Sequence, residues 1–146
     1  MVEAEIEYKA ALRLSPQYAT AAINLADLYR QLGRDSDGEP ILRTAIAASP
    51  RDAAVHHALG LTLTRLKRSG DALAELRKAV ELEPDRSRYA YVYAIALHSG
   101  GNRDEALAVL KDALRTHPSD RDILQALVSY SRIAGDAAAA LGYAER

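Results

Sequence analysis

Pro16, Pro50, Pro84 and Pro118 stand 34 residues apart, and the residues between them repeat in step. Self-similarity at a fixed period of this size implies stacked supersecondary units, because one such unit cannot bury its apolar face alone. Counting position 1 as the residue 31 before each proline gives full repeats at 19–52, 53–86 and 87–120. A shorter fourth runs 121–146, and residues 1–18 supply the second half of an earlier one, all within a single domain 1–146.

The apolar pattern inside each unit is helical. Positions 7, 8 and 11 read Leu25, Ala26, Tyr29; Leu59, Gly60, Leu63; Tyr93, Ala94, Leu97; and Leu127, Val128, Ser131. The step from 7 to 11 keeps one helical face. Positions 20, 24 and 27 read Ala4, Tyr8, Ala11; Gly38, Leu42, Ala45; Ala72, Leu76, Ala79; and Ala106, Leu110, Ala113. This small-large-small stripe belongs to a second helix. Small residues at 8 and 20 let the two helices approach closely. Gly33, Gly70, Gly101 and Gly135 are expected between the helices of each pair, as left-handed C-terminal residues. The spaced prolines are expected to close each second helix. Asp52, Asp85, Ser119 and Asp120 can cap the helix that follows.

These residues resemble the tetratricopeptide repeat family. Its pattern of Leu at 7, Gly or Ala at 8, Ala at 20 and 27 and Pro at 32 is kept nearly throughout. The aromatic at position 4 is replaced by Ala22, His56, Ala90 and Leu124, and at position 24 only Tyr8 is aromatic. The resemblance implies an all-α, right-handed superhelical solenoid of antiparallel helix pairs. It also implies a concave groove lined by positions 2, 5, 9, 12 and 13. The groove residues singled out are Ile23, Asp27, Arg30, His57, Leu61, Arg65, Arg88, Tyr91, Ile95, His98, Gln125 and Arg132. Apolar Ile23, Leu61, Tyr91 and Ile95 at the middle of this set, with arginines at its edges, suit a peptide or helix from a protein partner. Some members of the family clamp chaperone tails; those slots hold Ile23, Asp27, Ala58, Arg88 and Val92 here, and only Arg88 matches.

Composition excludes several other functions. Net charge is −1 and 27% of residues are charged, of both signs, so no nucleic-acid face is expected. There is no cysteine, hence no disulfide or cysteine-held metal. No apolar run approaches a membrane span, and no membrane insertion is expected. The Ala- and Arg-rich composition resembles bacterial chains, with a cytoplasmic location if the chain is whole and none assigned if it is part of a larger, exported protein. His56 and His57 are adjacent and face different ways, so no metal site forms with His98. The stretch Asp35-Ser36-Asp37-Gly38-Glu39 lacks the frame of a calcium loop. It reads as a capping box of Ser36 and Glu39 with Pro40 in the first turn. No nucleophile-base motif or phosphate loop occurs, so neither catalysis nor a cofactor is expected.

Both ends lack the polar outer face that terminal repeats normally carry. Val2 and Ile6 add apolar side chains to the first helix, and the second reading is a structural spacer or oligomerisation module within a larger chain, a homo-oligomer self-associating through its open terminal helices. The two readings separate by mutation. Tyr91→Glu is expected to abolish partner binding in a pull-down and leave self-association intact, whereas Val2→Glu with Ile6→Glu should do the reverse.

Overall fold

The computed structural model describes residues 2–15 and 18–146. Among them are nine helices and no strand. They are α1 (Val2–Leu14), α2 (Ala19–Gln31), α3 (Asp35–Ala48), α4 (Ala53–Arg65), α5 (Ser69–Leu82), α6 (Ser87–Ser99), α7 (Arg103–Thr116), α8 (Arg121–Ile133) and α9 (Ala137–Ala144). Contacts divide the chain into two compact units, Met1–Leu82 and Glu83–Arg146. In the first, α2 pairs with α3 and α4 with α5, while α1 lies against α2. In the second, α6 pairs with α7 and α8 with α9.

Each pair is held by the small-large stripes. The first unit's core joins Ala22, Ala26, Leu42, Ala45, Val55, Leu59, Leu63 and Ala72. Ala106, Leu110, Ile123 and Leu127 are equally inaccessible in the second. Burying one such leucine contributes roughly 1.5–3 kcal/mol. The closest approach is at Gly60, where an added Cβ would lie 2.5 Å from Leu76 Cδ2 and 2.6 Å from its Cγ. At position 4, His56 is buried with Nδ1 2.6 Å from Glu75 and Nε2 2.7 Å from the Pro50 carbonyl. Its polar ring takes the aromatic slot because both nitrogens find acceptors.

The turns follow the period more closely than the glycines do. Left-handed residues are Gly33 (φ 72°), Lys67 (φ 63°), Gly101 (φ 88°) and Gly135 (φ 82°). The residue after each donates its N–H back to position 11: Arg34 to Tyr29, Arg68 to Leu63, Asn102 to Leu97 and Asp136 to Ser131. This is the six-to-one bond that closes a helix end. Gly70 is therefore not the turn residue expected of it. It lies in the first turn of α5, and Lys67 carries the left-handed strain, because the length of the first helix sets where the chain must reverse.

Helix starts also differ in part from expectation. Asp52 accepts from Ala54 and Val55, and Asp120 from Ile123, as caps should. Asp85 and Ser119 do not cap: α6 starts after Arg86 without a side-chain bond, and α8 uses Asp120. The capping box at Ser36 and Glu39 does not form either. Helix α3 begins at Asp35, which places Pro40 inside the helix and Ser36 beyond the capping position. Glu39 instead receives Arg68 at 2.7 Å. Helices α3, α5 and α7 end before Pro50, Pro84 and Pro118; the same expectation for Pro16 lies outside the described residues.

The first unit carries a polar staple that repeats with the helices. Arg34 bonds Glu5 (3.2 Å) and Asp37 (2.8 Å), and Arg68 bonds Glu39 (2.7 Å) and Asp71 (3.1 Å). Each arginine at position 16 thus joins the preceding second helix to its own. Glu5 also accepts from Lys9 (2.8 Å) and the Tyr29 hydroxyl (3.0 Å). These bonds, Lys9 first, pull its carboxyl from 4.5 to about 2.

Packing and backbone strain set the response to two substitutions. Gly60→Ala should lower the urea midpoint by the equivalent of roughly 1–3 kcal/mol, because Leu76 must move. Lys67→Gly should raise it by about 0.5–1 kcal/mol through release of left-handed strain. The Glu5 network predicts acid sensitivity. Because the folded pKa is depressed, its contribution is present above the unfolded value of 4.5 and is lost as pH falls toward 2. Thermal unfolding from pH 6 to 2 should fall more steeply in the native chain than in Glu5→Gln.

Candidate functional site

The residues assigned to the groove divide between the units, and their surroundings differ. In the first unit they lie on α2 and α4. Ile23 is half-buried and packs on the core, so it is in part structural. Asp27 and Arg30, three apart on one helix, form an ion pair. Leu61 and His57 are half-buried on α4. Arg65 donates its Nε–H to both carboxylate oxygens of Asp35 at 3.1 Å. Asp35 is itself buried, so this guanidinium neutralises an internal carboxylate. The two arginines placed at the edges of the groove here, Arg30 and Arg65, already hold carboxylates.

In the second unit the stripe Arg88, Tyr91, Ile95 and His98 runs along α6 at helical spacing. Tyr91, Ile95 and His98 are half-buried, and Arg88 is exposed with its guanidinium 5.9 Å from the Tyr91 ring centroid. The His98 ring stacks on Tyr130 of α8, centroids 3.7 Å apart and planes within 5°. Burial, and then the neighbouring Tyr91, push the Tyr130 hydroxyl above its ordinary value of 10. The His98 and Tyr130 rings thus meet across two neighbouring first helices, with Tyr91 near enough to act on the Tyr130 hydroxyl and Arg88 over the Tyr91 ring. Burial and stacking restrict the rings' rotamers, so little conformational entropy remains to be lost on binding. Arg132 is exposed on α8. Gln125 lines a cavity between α8 and α9 together with Leu124, Val128 and Tyr143.

Tyr130 is the residue that sequence reasoning missed. It occupies position 10, whose counterparts Leu28 and Thr62 are buried, so the position reads as packing. The available signal was size: an aromatic on the last first helix, one residue past the groove stripe, can reach back across to α6. Tyr93, by contrast, sits in the core as its register requires, with its hydroxyl on Glu105 at 3.2 Å. Among the described residues no three His, Asp or Glu side chains gather into a metal site, and no helix is long and apolar enough to cross a membrane.

Known proteins share this fold. Residues 2–61 and 63–129 fit one family model described as tetratricopeptide repeat, and residues 36–87 fit a second with the same description. A crystal structure of MamA superposes with a TM-score of 0.81 at 19% identity, covering 93% of this chain and 80% of that one. A crystal structure of YrrB, described as a TPR protein with an unusual peptide-binding site, gives 0.75 at 22% identity, covering 95% and 72%. The MamA AMB-1 structure gives 0.74 at 25%, covering 95% and 80%. The search of curated proteins gave no significant match.

Proposed function

This chain belongs to the tetratricopeptide repeat family, and on that premise we propose that it is a non-catalytic interaction module whose second unit takes a peptide or helix on the face of α6 and α8. The observation that carries this reading is the His98–Tyr130 stack, with Tyr91 close to the Tyr130 hydroxyl and Arg88 over the Tyr91 ring. A preorganised aromatic surface with a cation at its edge takes a large apolar side chain next to a carboxylate. Tyrosine and arginine are the residue types that most often dominate binding energy at such surfaces. YrrB, a TPR protein with an unusual peptide-binding site, supports the reading by analogy of fold.

The first unit contributes differently. With Arg30 held by Asp27 and Arg65 by Asp35, its face offers Leu61 and part of Ile23 as apolar contacts and little free positive charge. Recognition of acidic groups thus falls to Arg88, with Arg132 as an exposed cation on α8.

Selection from a random displayed peptide library on the 146-residue chain tests this. Recovered sequences should pair an aromatic or large aliphatic residue with a nearby Asp or Glu. Arg88→Glu and Tyr91→Glu should each weaken a recovered peptide at least about tenfold, or about 1.4 kcal/mol. No enrichment, or variants that bind as well as the native chain, would refute the assignment.

A further inference from the structure

Position 4 of the repeats holds Ala22, His56, Ala90 and Leu124, so an ionisable ring stands there in one repeat alone. That ring is 6% exposed. Its Nδ1 lies 2.6 Å from a carboxylate oxygen of Glu75 on α5, and its Nε2 lies 2.7 Å from the carbonyl oxygen of Pro50 in the α3–α4 connection. Both partners are acceptors. A carbonyl oxygen has no proton to give, and neither has an ionised carboxylate. A neutral imidazole owns one N–H and one bare nitrogen. In that form one of the two contacts would set lone pair against lone pair, inside the protein and away from water. With a proton on each nitrogen both contacts become hydrogen bonds, and the one to Glu75 also joins opposite charges. Between the two side chains imidazole is the stronger base, so the shared proton belongs on the ring. Glu75 keeps 24% of its side chain accessible, which spares the pair the full cost of burying two charges.

The charged groups around this pair are committed elsewhere or face water. At the start of α4, the Asp52 carboxylate accepts from the N–H groups of Ala54 and Val55. On α2, Asp27 pairs with Arg30. On α3, Asp35 takes Arg65, and Glu39 takes Arg43 and Arg68. On α5, Asp71 pairs with Arg68 and Arg77 with Glu81, while Lys78 is exposed. His57 follows directly in the helix and points to a different side. Glu75 is the charge that meets the His56 ring.

We propose that His56 is a proton-operated clasp of the first unit: protonated at both nitrogens near neutral pH, it ties α4 to α5 and to the α3–α4 connection, and it releases one of them when the proton leaves. The sign follows from linkage. A ring that holds its second proton more tightly folded than unfolded stabilises the fold at lower pH, and that contribution is lost as rising pH removes the proton. The Glu5 network has the opposite sign, because its contribution is lost as pH falls. The first unit is therefore loosened from both sides, through different residues and between different helices. The clasp lies in the first unit and stands or falls apart from peptide binding by α6 and α8.

Nitrogen NMR of the labelled 146-residue chain tests the clasp directly. The His56 signals are identified by their absence in His56→Phe, which keeps an aromatic ring in the slot. Near pH 7 the native chain should show protons on both His56 nitrogens. In Glu75→Gln the new amide can donate an N–H to a bare ring nitrogen, so the ring there should carry one proton under the same conditions. Urea unfolding supplies the energetic readout. From about pH 6 to about pH 8.5 the native midpoint should fall, and the Glu75→Gln midpoint should fall less. The comparison cancels the other three histidines, which both chains share. A native His56 ring with a single proton near pH 7 would overturn the proposal, and so would native and Glu75→Gln midpoints that change in parallel.

Discussion

The three complete helix pairs share one close approach, a residue without bulk at position 8 (Ala26, Gly60 or Ala94) against the stripe of the second helix. At Gly60 the neighbour is Leu76, so near that even a methyl group would collide with it. At Ala26 the neighbour is Gly38, whose missing Cβ would sit 3.4 Å from the Ala26 Cα. With the two helices this close, the leucines at 7, 11 and 24 interdigitate and are shut away from water. The left-handed residue at every thirty-fourth position then reverses the chain at a constant helix length. Lys67 shows the hierarchy: the register of packing is kept, and a side chain poorly suited to the conformation is tolerated there.

The same period places charged side chains, but not in every repeat. Arg34 and Arg68 hold the first unit's second helices together through Glu5 and Glu39. In the later repeats position 16 is Asn102 and Asp136, and position 21 is Leu73 and Leu107, so that staple has no equivalent in the second unit. Its place in the functional argument is indirect. Where arginines are tied to internal carboxylates, as Arg65 is to Asp35, they contribute to the unit's own structure. Arg88 instead stands over the Tyr91 ring, and in the proposed reading it is the arginine that meets a ligand. Two faces with the same repeat positions thereby acquire different chemistry.

That Arg88, Tyr91, Ile95 and His98 share one helix was legible because they obey helical spacing on a helix whose limits were clear. The partner ring was not, because Tyr130 lies 32 residues beyond His98 and outside the positions that the repeat assigns to the groove. Ser36 and Glu39 show the opposite error, a local motif that reads well and yet does not form. Starting α3 at Asp35 puts Asp35 on Arg65 and Glu39 on Arg68, and these longer-range bonds replace the local cap.

By itself the sequence determined the helical class, the pairing of helices, the core positions and three of the four turns. All of these follow from residues within one 34-residue period, where spacing translates directly into a face or a stop. Only the tertiary structure decided which polar groups meet across repeats: Glu5 with Arg34, Asp35 with Arg65, His98 with Tyr130. Those encounters join residues about one period apart. They depend on helix packing and rotamer choice, for which a one-dimensional pattern carries no term.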